Sequence, residues 1–274
     1  MKSIKSICLV LAAASILLLG GCSDDNGSII DQVTGLTPQN DVELGRSVVD
    51  QIEADPTEYP MLSRSEYPEA YAYLDAMRAE LLTSDDINHK DIFPYTFTII
   101  ERDDVLNAFA TPGGFMYVYT GLIKYLDRAD DLAGVLGHEI AHASERHSSD
   151  QLKQQLGVQF LISIALGESS ASQIAQLGAN FLSLSFSRAD ENEADEYSVM
   201  YLADTGYACN GTAGFFSKLQ DEGQCSGNFA FLSTHPDPCN RVADIDAKAE
   251  ELGCSTDAIV ESGMSYQDFI SSLP

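Results

Sequence analysis

Positive charge is scarce in this sequence: 15 Lys and Arg stand against 42 Asp and Glu, a formal net charge of −27. That balance argues against nucleic acid as a partner and would repel an anionic membrane. It favours solubility and selects no substrate. Long apolar runs are also missing after residue 22. The stretch GVQFLISIALG (Gly157–Gly167) is apolar for only eleven residues and carries Gln159, whereas a bilayer span needs about 20. Core packing is the expected role, with lipid contact as the alternative. No two cysteines have C-x-x-C spacing, which argues against a zinc–thiolate site. No internal repeat is present. The 274 residues suffice for one large domain or two small ones.

The first segment reads as an address rather than as fold. Lys2 and Lys5 precede a 13-residue apolar core, Ile7 to Leu19, and then LLGGC, Leu18 to Cys22. Such a pattern marks a secretory leader, and LLGGC looks like a bacterial lipobox. Residues 1–21 are then a lipoprotein signal peptide and Cys22 the lipidated first residue, tying the protein to a membrane. The rival readings are an ordinary signal peptide or a short anchor. Ser23, by resemblance to enterobacterial lipoproteins, favours outer-membrane sorting. Residues 22–38 read as a tether, and 39–274 as one domain.

Within that domain the class reads as α+β, helix-dominated, with one small sheet. DVELGRSVVDQIE and PEAYAYLDAMRAELL are helical by period. YTFTII is β-branched and aromatic, hence a strand. NAFATPGGFMYVYTG places a Pro-Gly-Gly turn between two extended stretches. Helices are expected over ADDLAGVLGHEIAHASERH, through residues 150–205, and near 212–221 and 240–252.

GHEIAHASERH holds three of the five histidines. At 100° per residue, His138 and His142 fall on one face of a helix, the arrangement two imidazoles need to share a metal ion. Glu139 flanks them, within reach of a water on that metal. His147, nine residues from His138, is expected about 180° away, beside Leu136, Ile140 and Ala143, as a packed or capping residue. H-E-x-x-H is the zinc metallopeptidase signature, with the glutamate as general base; a chance match on a core helix is the bland alternative.

A catalytic zinc needs a third protein ligand. A histidine six residues after the second is one known solution, but Ser148 stands there and Glu145 replaces the helix-ending glycine. The other solution is a carboxylate from a later helix. In SRADENEADEY, Glu191 and Asp195 are four apart and share a face. Glu191 could bind metal while Asp195 accepts the N–H of a ligating imidazole. Glu193, about 200° from Glu191, cannot share that face. A solvated acidic face is the rival reading.

NAFATPGGFMYVYTGLI, GHEIAHASERH, SRADENEADEY and STHPDPCNRV occur in this order over roughly residues 40–250. Together they resemble the zinc metallopeptidase family of HtpX, BepA and the CAAX prenyl proteases, which are zincin-like proteins of gluzincin type. The resemblance implies a single Zn²⁺ on His138, His142 and Glu191, with Asp195 behind the ligands and Glu139 as base. It makes Asn107, Ala108, Phe109 and Ala110 an edge strand for extended peptide or protein substrates. It places His235 over the zinc cleft, followed by Arg241. Two roles for His235 stay open: an oxyanion donor, or a ring that fills the open zinc position and shuts the enzyme. A loop histidine without metal contact is the third possibility. The implied function is a lipid-anchored envelope endopeptidase acting on misfolded or stalled envelope proteins, with outer-membrane assembly machinery as a partner. A chaperone-like lipoprotein with a latent zinc site is the alternative.

Four cysteines remain beyond Cys22: Cys209, Cys225, Cys239 and Cys254. They lie outside the family pattern. An even number in an exported chain suggests disulfides. Cys209 and Cys225 bracket one short helix, and Cys239 and Cys254 another. A helix of about ten residues holds its ends roughly 15 Å apart, too far for a bond that needs Cα atoms within about 7 Å. Two antiparallel helices favour the nested pairs Cys209–Cys254 and Cys225–Cys239.

Overall fold

The computed structural model describes residues 36–226, 230–261 and 263–274. The leader, Cys22 and most of the expected tether lie outside these residues. Leu36 is already fully buried, and its carbonyl accepts Arg146 Nη2 at 2.8 Å. The packed chain therefore includes the end of the stretch read as tether.

Helix α1, Pro38–Glu53, starts where its sequence allows. Pro38 sits at the first position and the Thr37 hydroxyl accepts the Asn40 N–H at 3.3 Å, satisfying a free end group. Leu44, Val48 and Ile52 recur at four-residue spacing and face inward. Helix α2, Pro68–Leu81, buries Ala70, Tyr71, Leu74, Met77 and Leu81. A three-stranded sheet follows, β1 (Thr96–Ile100), β2 (Ala108–Ala110) and β3 (Phe115–Tyr119), in the order β1-β3-β2. β1 runs parallel to β3, and β2 antiparallel. Gly113 and Gly114, at φ 75° and 83°, make the tight turn between β2 and β3, a conformation glycine adopts without steric penalty.

The remaining helices are α3 (Thr120–Tyr125), α4 (Ala129–Ser144), α5 (His147–Leu156), α6 (Val158–Ala165), α7 (Ala171–Phe181), α8 (Arg188–Ala203), α9 (Gly211–Asp221), α10 (Ala230–Thr234), α11 (Pro238–Leu252) and α12 (Tyr266–Ser271). All sixteen residues of α4 are buried. Two glycine contacts explain how it seats. A Cβ on Gly134 would stand 2.0 Å from the Thr212 nitrogen, and one on Gly211 would stand 2.0 Å from the Asp130 carbonyl oxygen. The backbones of α4 and α9 therefore touch. Ser198 of α8 completes the junction, donating to the Gly134 carbonyl at 2.8 Å and meeting the Thr212 hydroxyl at 3.0 Å.

Only Leu161 and Ile164 of α6 are buried, and Leu166 beyond it is 61% exposed. This apolar stretch is half core and half surface. Among the described residues no helix is long and apolar enough to cross a membrane. Disulfides join Cys209 to Cys254 and Cys225 to Cys239, with Cα atoms 6.2 and 5.7 Å apart. They tie α11 to both ends of the α9 segment.

Candidate metal centre

Four donor side chains converge at the middle of α4: His138, His142, Glu191 and His235, with ligand atoms all within 4.8 Å of one another. α4 supplies the first two one turn apart, and α8, packed against it, supplies Glu191. The Nε2 atoms of His138 and His142 are 3.0 Å apart. Glu191 carboxylate oxygens lie 3.6 Å from His138 Nε2 and 3.4 Å from His142 Nε2. His235 Nδ1 lies 2.9 Å from Glu191 Oε1 and 3.4 Å from His138 Nε2. Ligands bound tetrahedrally at about 2.1 Å stand roughly 3.4 Å from each other. The donor set and its spacing fit a zinc ion.

The surroundings fix these groups. His138 Nδ1 lies 3.0 Å from Asp195 Oδ1. Arg241 clamps Asp195 through two bonds, Nε to Oδ2 at 2.6 Å and Nη2 to Oδ1 at 2.7 Å. Its Nη1 also donates to Glu191 Oε2. Burial disfavours the His138 cation, but the Asp195 and Glu191 carboxylates raise its pKa to about 9. Burial likewise opposes ionisation of Glu191, yet the surrounding histidines hold its carboxyl well below the usual range. Burial pushes the neighbouring Glu139 carboxyl up, while the His235 and His138 charges pull the other way. Glu139 Oε1 lies 3.4 Å from His235 Nε2, and the Ala110 backbone N–H also favours the carboxylate; neither oxygen makes a hydrogen bond of standard geometry among the described residues.

Strand β2 borders the cluster. Tyr119 N–H donates to the Asn107 carbonyl and Thr111 N–H to the Phe115 carbonyl. By antiparallel alternation, Phe109 also faces β3, while Ala108 and Ala110 turn their backbone groups to the edge. Ala110 O accepts the Ser148 hydroxyl at 3.3 Å. The edge is covered, with Ala108 fully buried and Ala110 3% exposed. The segment carrying His235 packs beside it: Phe231 N–H donates to the Leu106 carbonyl at 3.2 Å. A cavity of about 150 Å³ opens alongside, lined by Asn107, Phe109, Phe181, Leu184, Phe186 and Thr234 among others.

One expectation fails. α4 ends at Ser144, and Arg146 takes a left-handed φ of 63°. The chain reverses, so His147 opens α5 and points back. Its Nδ1 lies 2.9 Å from His142 Nδ1. The expected placement beside Leu136, Ile140 and Ala143 assumed an unbroken helix. Glu193 stays off the Glu191 face, as its angle requires, but its Oε2 meets His147 Nε2 at 3.2 Å. Phe186 was not legible from spacing; its ring stacks on His142 with centroids 3.9 Å apart.

Two imidazoles on a buried helix, a carboxylate from a second helix and a buried carboxyl beside them define a metallopeptidase catalytic domain. The model of peptidase family M48 matches residues 55–249, and the chain belongs to that family, whose metal is zinc. Relatives include a putative β-barrel assembly-enhancing protease of Vibrio cholerae serotype O1, 32% identical over 58% of this chain and 35% of that protein. The mitochondrial metalloendopeptidase OMA1 of Schizosaccharomyces pombe is 34% identical over 53% of this chain and 44% of its own length. The metalloprotease LoiP of Escherichia coli K12 is 31% identical over 56% and 62%. The matched region thus spans about a third to under two thirds of these relatives.

Proposed function

We propose that this chain is a zinc endopeptidase of the bacterial envelope, acting on extended segments of misfolded or stalled envelope proteins and held at rest by His235. In this reading His138, His142 and Glu191 are the metal ligands. Zinc, when bound, polarises the scissile carbonyl and makes water a stronger nucleophile near neutral pH. Glu139 takes the proton of the attacking water and returns it to the leaving amine. A carboxyl raised by burial suits that exchange. Asp195, clamped by Arg241, accepts the His138 Nδ1–H and so leaves Nε2 free for the metal. The outward backbone groups of Ala108 pair with an extended substrate, whose apolar side chain fits the adjoining cavity.

The observation that carries the peptidase reading is Glu139, a carboxyl buried beside the donor cluster and held by no hydrogen bond of standard geometry. A structural zinc site has no use for such a group. Its test compares wild type with Glu139→Gln on unfolded proteins. The variant keeps zinc and loses at least about a hundredfold in rate; equal cleavage would sink the mechanism.

The resting state follows from His235. Its Nδ1 stands where a fourth ligand would, and the β2 edge beside it is covered. The segment must swing away before substrate enters. The same observation favours a second reading, a chaperone-like protein that holds clients and rarely cuts. The alignments with β-barrel assembly-enhancing proteases support an envelope location and outer-membrane assembly machinery as a partner. The leader and lipobox support anchoring through Cys22, which Cys22→Ala tests by releasing the protein or blocking its processing.

A further inference from the structure

We propose that His147 and Glu193 form a relay that holds His142 in the tautomer a metal requires. The inference rests on the reading of His142 as a ligand.

His142 enters the cluster through Nε2, so its ring proton must sit on Nδ1. That Nδ1 lies 2.9 Å from His147 Nδ1, and two nitrogens so close share a single proton. Two directions are conceivable. In one, His142 Nδ1–H donates to His147 Nδ1, and His147 carries its own proton on Nε2. In the other, His147 Nδ1–H donates to His142, leaving a lone pair on His147 Nε2. Glu193 Oε2, an acceptor, sits 3.2 Å from that Nε2. The second direction sets lone pair against carboxylate; the first gives every donor an acceptor. Glu193 therefore fixes the direction, and His142 Nε2 is left free for metal.

The backbone is built to deliver this contact. Arg146 takes its left-handed conformation with its guanidinium buried against Asp41, Nε to Oδ2 at 2.5 Å. That reversal turns His147 back toward α4, and Ser148 beside it binds the Ala110 carbonyl. His138 has the equivalent support from Asp195. Helix α8 thus supplies the ligand Glu191 and the acids behind both imidazoles, Glu193 and Asp195. His147 and Glu193 are positioning residues, since they touch the metal only through His142. Outer partners of this kind typically change metal affinity by about 10- to 100-fold.

The test uses the mature protein in two measurements: zinc affinity by chelator competition, and the His142 tautomer in zinc-free protein by long-range ¹H–¹⁵N spectra. Wild-type His142 is expected to carry its proton on Nδ1. His147→Leu should mix the tautomers and weaken zinc about 10- to 100-fold. Glu193→Leu should act in the same direction by less, because water can reach that half-exposed position. Glu193→Gln should remain near wild type, its amide oxygen still accepting the His147 N–H. A wild-type His142 protonated on Nε2 would overturn the relay. So would a folded His147→Leu with unchanged affinity, or a Glu193→Gln as damaging as Glu193→Leu. Should His147→Leu fail to fold, Glu193→Leu decides: an unchanged tautomer and affinity reject the proposal. A wild type that takes up no zinc would instead reject the ligand reading, and its tautomer spectrum would still test the relay.

Discussion

The two halves of the donor cluster are built differently. His138, His142 and Glu191 stand on sixteen-residue helices, α4 and α8, locked to each other and to α9 by Ser198 and by glycine backbones in contact. His235 follows a five-residue helix, α10. That segment is held by the buried Phe231 ring, stacked on His235 with centroids 4.4 Å apart, and by the Phe186 N–H to the Thr234 carbonyl at 3.0 Å. The exposed Arg188 pairs with Asp237 just beyond. Three donors are thus fixed by whole-helix packing, and the fourth by local contacts within the stretch that the Cys225–Cys239 disulfide closes. Local contacts open at lower free energy than core helices. In the proposed reading, His138, His142 and Glu191 keep the metal while removal of His235 opens a position on it.

The largest expected effect separates the two halves outright. His138→Ala, His142→Ala or Glu191→Ala should lose zinc and all cleavage, as should treatment with a strong chelator, whereas His235→Ala should keep zinc on elemental analysis. Zinc loss in His235→Ala would erase the distinction. Next in size is packing. Gly134→Ala forces a Cβ into the α9 backbone and should destabilise the fold by about 3 kcal/mol, read as a lowered denaturation midpoint. Smallest is Arg188→Ala. This exposed pair should change global stability by less than about 1 kcal/mol, whatever it does to the His235 segment. A large loss of stability there would show that segment to be part of the core.

Regular features were legible in the sequence because local chemistry decides them. The β-branched run Thr96–Ile100 became a strand, the Pro-Gly-Gly turn joined two more, and His138 and His142 met at one helical turn. The four-residue spacing also placed Glu191 and Asp195 on one side of α8. What escaped were positions set by a break in regularity. Periodicity carries an intact helix past Ser144, and nothing local announces that Arg146 takes a left-handed conformation; Asp41, 105 residues away, holds it there. Periodicity therefore puts His147 on the wrong side. Phe186 lies in an irregular stretch before the α8 cap, where no period exists to read. The covered β2 edge depends on residues far along the chain, such as Ser148 on the Ala110 carbonyl, which strand pattern alone does not record.

A peptidase shut by its own histidine should be released by losing that histidine. Cleavage of an unfolded protein should be measured for wild type, His235→Ala and the His235→Ala/Glu139→Gln double variant, each with its zinc content determined. His235→Ala should cut faster than wild type at equal zinc, and the added Glu139→Gln should remove the gain. Cleavage by His235→Ala that is slower than wild type or unchanged, with zinc intact, would contradict closure by His235.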